Sequence, residues 1–339
     1  FDANIEIYGN YSQAKPQKSF EIKLSAEMGT SEIEYPLFPD KQQINEIDNF
    51  ILRNSGTDWN KVHYRDALME RAMKNTHSGY LATDPVVVFL NGEYWGVYTV
   101  HENHDQHWVK NNYGLGKDEI DMLLEGGNIE TKFGSDDSFW DLVNYATIQN
   151  PSGSQYYENI DEMLDINNFV DYMIAETYFN NGDWMGDWTN NIKMWRPQAS
   201  GGKWKYLLYD LDFGLGMSGS VNDNRLGIAR NPASQNYTSD MFDALLNNTQ
   251  FKTYFINRYA DLINTIYKSS DLKDVSQEFE DIMRHDMSDH FSKWSSFNGD
   301  NFSISTWNSK ISSMESFINS RPAKVRDQIQ SEFSLQSQV

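Results

Sequence analysis

The dipeptide Asn91-Gly92 places the tightest local constraint on this chain. Asn and Gly both tolerate positive φ, and a two-residue turn built that way has the twist that lets flanking strands pair antiparallel. The flanks agree, since Val86-Val87-Val88-Phe89-Leu90 and Tyr94-Trp95-Gly96-Val97-Tyr98-Thr99-Val100 are rich in β-branched and aromatic residues. A hairpin here commits the first hundred or so residues to a sheet. Ile5-Glu6-Ile7-Tyr8 and Ser19-Phe20-Glu21-Ile22-Lys23-Leu24 alternate apolar and polar, and Asn49 to Arg53 adds a third short strand. A helix over 62–74, with Leu68/Ala72 and Met69/Met73 at helical spacing, interrupts the sheet.

From about residue 104 the apolar period moves from two toward 3.6, predicting helices near 138–149, 165–180, 239–248, 250–268, 271–291 and 304–320. One more β-pair, Asn191 to Arg196 and Lys203 to Leu211, is joined by the turn-rich Pro197-Gln198-Ala199-Ser200-Gly201-Gly202. Arg321-Pro322 predicts the start of a final short helix. The pattern is α+β: a β-rich N-terminal lobe over 1–103, then a mostly helical C-terminal lobe over 104–339 with an embedded β-hairpin.

Charge excludes several functions. With 28 basic and 49 acidic side chains the net charge is −21, which disfavours both nucleic acid and an anionic membrane surface. The longest apolar run, Val86 to Leu90, is strand-sized and far short of a membrane span. The absence of cysteine removes disulfides, thiolate nucleophiles and Cys-based zinc sites together. The chain enters strand-like sequence directly from Phe1, which reads as a piece of a longer precursor.

Oxygen donors are densest in Asn180-Asn181-Gly182-Asp183-Trp184-Met185-Gly186-Asp187-Trp188-Thr189-Asn190-Asn191 and in Tyr209-Asp210-Leu211-Asp212-Phe213-Gly214. Carboxylates with an Asn carbonyl suit a hard cation such as Mg²⁺, Mn²⁺ or Ca²⁺. On a strand, Asp210 and Asp212 would point the same way. The alternative is that these Asp and Asn residues are ordinary turn formers and helix caps. The order Asp, Asn, strand-borne Asp is also that of protein kinases, and Asp212-Phe213-Gly214 repeats their metal-binding triplet. The N-terminal β-rich region lacks the Gly-x-Gly-x-x-Gly loop of kinases and the chain has no Gly-Lys-Ser/Thr phosphate loop, which excludes an ordinary kinase or P-loop enzyme.

Several segments, in order, resemble the CotH family of secreted, atypical protein kinases. They are Gly9-Asn10-Tyr11-Ser12 with Pro16-Gln17-Lys18-Ser19-Phe20, Leu52-Arg53-Asn54-Ser55-Gly56-Thr57-Asp58, Arg65-Asp66, Asn91 to Tyr98 plus Glu102, Asn181-Gly182-Asp183-Trp184, Asn190-Asn191, and Tyr209-Asp210-Leu211-Asp212. The resemblance spans about residues 5–215. It implies a remotely protein-kinase-like fold, with the active site between the lobes, and Mg²⁺ (or Mn²⁺) and ATP-dependent phosphorylation of Ser/Thr on secreted or surface bacterial proteins. It places Asp183 as catalytic base, Asn191 and Asp210 as metal ligands with Asp212 second to Asp210, Lys18 on phosphate and Glu102 in the nucleotide site. Arg53 and Arg65 take a phosphate-side or structural role. Gln17 stands where the family often has a second basic residue. Eight residues separate Asp183 from Asn191, against five in ordinary kinases, so Asp187 is a reserve candidate for the base.

Other readings compete. His101, His104 and His107 are spaced by three, but lack the His-Glu-x-x-His order of a zinc helix. Ser12-Gln13-Ala14-Lys15 fits an acyl-transfer motif without its companion motifs. Trp140, Trp184, Trp188, Trp195 and Trp204 near acidic residues would suit sugar stacking and glycoside hydrolysis, unless they build the core. A non-catalytic surface or assembly protein could keep a kinase-like frame. The acidic excess would steer a kinase toward acceptor Ser/Thr in a Lys/Arg-rich setting, or merely confer solubility.

Overall fold

The computed structural model describes residues 2–298 and 302–339. The elements follow in the order β1 (Asn4–Tyr8), β2 (Ser19–Lys23), β3 (Ile33–Glu34), β4 (Glu46–Ile47), β5 (Asn49–Arg53), α1 (Arg65–Ala72), β6 (Thr83–Leu90), β7 (Glu93–His101) and α2 (Gln106–Tyr113). Then come β8 (Ile120–Glu125), β9 (Ile129–Phe133), α3 (Asp137–Ile148), α4 (Tyr156–Met163), α5 (Ile166–Phe179), β10 (Ile192–Pro197) and β11 (Lys205–Leu207). The chain finishes with α6 (Arg225–Arg230), α7 (Tyr237–Leu245), α8 (Thr249–Asn264), α9 (Ser269–Asn298) and α10 (Ile304–Glu332). Among the described residues no helix is long and apolar enough to cross a membrane.

The chain packs as two compact units, each discontinuous in sequence. The first comprises residues 1–72, 81–114 and 272–316, and the second 73–80, 115–271 and 317–339. The first unit is built on an antiparallel sheet in the order β1-β2-β5-β7-β6. Its hairpin turns at Asn91 (φ 53°) and Gly92 (φ 81°), with Leu90 opposite Glu93, as the dipeptide demands. Ile22, Phe38, Ile44, Ile47, Phe50, Ala82 and Val100 form one core against it. Helix α9 joins this unit because Tyr64 Oη meets Ser276 Oγ at 3.0 Å and Val97 N–H donates to His290 Nδ1 at 3.1 Å. Gly96 makes room for it: a Cβ there would stand 2.9 Å from His290 Nδ1.

The second unit carries its own antiparallel sheet, β11-β10-β8-β9, where the sequence predicted a lone hairpin. Strand β8 is buried along nearly its whole length, so it lacks the alternation that marks a half-exposed strand. Helix α5 is buried all round apart from Asn167, and Phe169 and Tyr172 pack against Tyr206 with tilted rings, centroids 4.9 and 5.0 Å apart. The helix predicted to start at Arg321-Pro322 does not form separately, because α10 runs through Pro322. Proline cannot bond the carbonyl four residues back. That carbonyl, of Ile318, instead accepts the Ser269 hydroxyl at 3.0 Å.

Candidate functional site

In the second unit, α5 ends at Asn180 in the left-handed region (φ 59°), a conformation Asn tolerates, with its N–H on the Glu176 carbonyl. Asn181 N–H reaches the same carbonyl at 3.2 Å. The Asn181 side chain then bridges, its Nδ2 donating to Glu176 Oε2 at 2.9 Å while its Oδ1 accepts Asp183 N–H at 3.1 Å. At Gly182 any Cβ would sit 2.7 Å from Ser218 Oγ, so the turn requires glycine. Turn chemistry and candidate chemistry thus coincide in these residues.

Asp183 is held on both oxygens. Oδ1 accepts the Trp188 indole N–H at 2.9 Å and Oδ2 accepts Asn190 Nδ2 at 3.1 Å. Asn191 Nδ2 donates to the Asp183 carbonyl at 3.0 Å and to Oδ2 at 3.3 Å. The structure therefore joins Asp183 to Asn191 directly, and turns Asn191 so that its amide oxygen stays open to a further partner. Asp187, the reserve base, is exposed.

Asp210 is half-buried and Asp212 buried, but they do not share a strand face. Strand β11 stops at Leu207 and Asp210 has φ 56°, which breaks the period-two argument. Asp210 and Asp183 together help push the wholly buried Glu176 carboxyl up to about 8, after burial itself, while Asn181 and Arg225 pull it down. Arg225 donates to the Met185 carbonyl at 3.0 Å, and burial lowers its own pKa. Glu176 is the site residue the sequence did not reveal.

Among the described residues no group of three or more acidic or histidine side chains is assembled to hold a metal ion. The expected set is smaller, two carboxylates and an amide. That donor set fits Mg²⁺, which keeps waters and takes one or two carboxylates plus substrate phosphates.

In the first unit, Glu102 pairs with Lys41, Nζ to Oε2 at 2.6 Å with both side chains buried. Asn112 braces both, accepting from Lys41 at 2.9 Å and donating to Glu102 Oε1 at 2.8 Å, and Ala82 N–H completes the set at 2.8 Å. Lys18 Nζ instead donates to the Gln13 and Lys15 carbonyls at 2.6 and 2.7 Å. Arg53 Nε lies 3.7 Å from Asp66 Oδ2, which also faces His101 Nδ1 at 3.8 Å. Burial, with Asp66 beside it, pushes the Glu70 carboxyl well up, and burial with Arg53 holds the His101 imidazole well down. Arg65 pairs with buried Asp58 at 3.2 Å, a structural use.

The family model described as CotH kinase protein matches residues 5–325. The chain belongs to the CotH family. No curated protein matches it. Several CotH-like motif residues serve as scaffold. Gln17 is buried between Val97 O, to which it donates at 2.9 Å, and Trp59 Nε1, from which it accepts at 2.6 Å. Asn54 locks β5 to β2 through Ser19 Oγ at 2.9 Å and the Gln17 carbonyl.

The competing readings fare differently. His101 bonds Thr99 Oγ1 at 2.8 Å, His104 meets Tyr8 Oη at 2.7 Å and His107 meets Asp48 at 2.8 Å, so the three imidazoles are drawn to separate partners. Trp184, Trp195 and Trp204 are fully buried core residues and cannot stack on a sugar, leaving exposed Trp188 and half-buried Trp140.

Proposed function

We propose that this CotH-family chain transfers the γ-phosphoryl group of ATP to Ser/Thr hydroxyls of secreted or surface proteins, with Mg²⁺ or Mn²⁺. The observation that carries the reading is the direct Asp183–Asn191 contact, with Asp210 near enough to act on the same buried carboxyl. Asp183, fixed by Trp188 and Asn190, is oriented to take the acceptor hydroxyl's proton as its oxygen bonds to phosphorus and the β–γ bridging oxygen leaves with ADP. Asn191 Oδ1 and the Asp210 and Asp212 carboxylates would hold the cation, which neutralises phosphate charge. Within the first unit, Lys18, Arg53 and Glu102 are the candidates for nucleotide contact. The net charge of −21 favours basic acceptors.

Thermal unfolding with Mg²⁺, ATP and both tests this, since ligand at 100 Kd adds about 2.7 kcal/mol. A shift that needs both and vanishes in Asp210→Asn supports the reading, as does an Asp183→Asn protein that binds but does not transfer. The second reading, a binding protein on a kinase-like frame, draws on the Lys18 ammonium being occupied by two backbone carbonyls. No shift at millimolar Mg-ATP would decide for it.

A further inference from the structure

The carboxyl of Glu176 is fully buried at the last turn of α5, beneath the Asp183 loop. Capping that helix needs no carboxyl, because the Glu176 backbone carbonyl already takes the N–H groups of Asn180 and Asn181. Burying an acid is costly unless it has a specific partner. The partner is Asn181, whose amide spans from Glu176 Oε2 to Asp183 N–H. An Asn amide free to flip would present NH₂ to that N–H and lose the bond. Glu176 Oε2 accepts from the NH₂ end of Asn181 while Asp183 N–H takes its Oδ1, so the two contacts together set which end of the amide faces Asp183. Its other oxygen, Oε1, is buried without a hydrogen-bond partner, so the hydrogen bonding of this side chain is directed at Asn181. Tyr172, Asp183, Asp210 and Arg225 are the titratable and charged groups that act on it.

We propose that Glu176 is a positioning residue for Asp183, acting through the Asn181 amide. The role of Asp183 as base rests on the kinase reading above; the relay itself rests on the hydrogen bonds.

The test compares Glu176→Ala, Glu176→Gln and Asn181→Ala with wild type. In ATP-dependent phosphorylation of a basic Ser peptide, the two alanine variants should lose about 100-fold in kcat, the cost of displacing a catalytic group by roughly 1 Å, with the KM for ATP within about twofold. Glu176→Gln, whose amide oxygen can accept the same bond, should recover most of the rate. The second readout needs no activity. Because the Trp188 indole is bonded to Asp183, its emission, isolated by subtracting spectra of matching Trp188→Phe proteins, should shift in both alanine variants and be restored in Glu176→Gln. Unchanged kcat and unchanged Trp188 emission in Asn181→Ala would overturn the relay, as would a Glu176→Gln protein as impaired as Glu176→Ala. If Glu176→Ala does not fold, Asn181→Ala in the loop carries the comparison. Wild-type protein that transfers no phosphate would sink the kinase reading, and the emission comparison would still decide the relay.

Discussion

Removing Lys41 should be among the most damaging single changes in the first unit, and the damage should be coupled to Glu102. The pair is buried, with side-chain exposures of 5% and 1%, at 2.6 Å. In Lys41→Met the Glu102 carboxylate stays in the core facing the Asn112 amide and the Ala82 N–H, dipoles in place of a cation. Breaking a buried pair this way costs about 3–5 kcal/mol, because one charge remains uncompensated. Glu102→Gln should cost a similar amount by stranding the ammonium. The double variant strands neither charge, so it should be less destabilised than the sum by about 2 kcal/mol or more. Lys18→Met, which gives up two carbonyl contacts at a partly exposed site, should cost about 1 kcal/mol and show no coupling to Glu102→Gln. Urea denaturation of wild type, the three single variants and the two double variants with Glu102→Gln, at low and high salt, measures this, with the Lys41–Glu102 coupling nearly independent of salt because the pair is buried. Additive single changes, or coupling of Glu102 to Lys18 in place of Lys41, would refute the argument.

Glu176→Gln should flatten the pH dependence of stability. The native carboxyl keeps its proton to about 8 against 4.5 for the free group, so wild type loses stability as pH rises from 4.5 to 8, by up to about 5 kcal/mol relative to the Gln variant in paired denaturation curves. Burial, with His63 beside it, holds His290 well below its ordinary value; wild-type stability should therefore fall as pH drops below about 6.5, and His290→Asn, whose amide oxygen can accept the Val97 N–H, should show a shallower fall in the same curves. Arg321 donates to the carbonyls of Thr177, Tyr178, Val221 and Asp223 at 2.7–3.0 Å; Arg321→Ala should cost on the order of 4 kcal/mol by calorimetry, and Arg321→Lys less.

Much of the first unit was legible because its strands and hairpin carry local signals: β1 and β2 form where the sequence alternates, although Ile5 and Ile7 of β1 stay exposed, and the chain turns at Asn91-Gly92 between two apolar runs. What stayed hidden lacked such a signal. Strand β8 is buried on both faces and reads as neither period. Pro322 signals a helix start, and only the distant Ser269 hydroxyl explains why α10 passes through it. Helix α2 follows a histidine-rich stretch whose spacing suggested ligands, whereas its N-cap is Asp105, accepting His107 N–H at 2.8 Å.

The site divides along the same line. Asp183 and Asn191 were legible because a loop dense in Asn, Asp and Gly must satisfy itself through side-chain-to-backbone bonds, and such loops are where functional carboxylates can be held still. Glu176 was illegible because in sequence it is the lone charged residue in the apolar C-terminal half of the helix, the normal look of a solvent-facing position; burial on every side of that half of α5 turns it into part of the loop's support. Lys41 was illegible for another reason: its partner is 61 residues away and no motif surrounds it. Arg321 lies beyond the quoted motifs altogether, yet it occupies the C-terminal carbonyls of the helix that delivers Asn181 and Asp183. A motif residue such as Gln17, conversely, does scaffold work. Substitutions at Gln17 and Arg321 should therefore act through stability, and those at Asp183, Asn191 and Asp210 through ligand binding and transfer, so stability and transfer measured on the same variants separate the two groups.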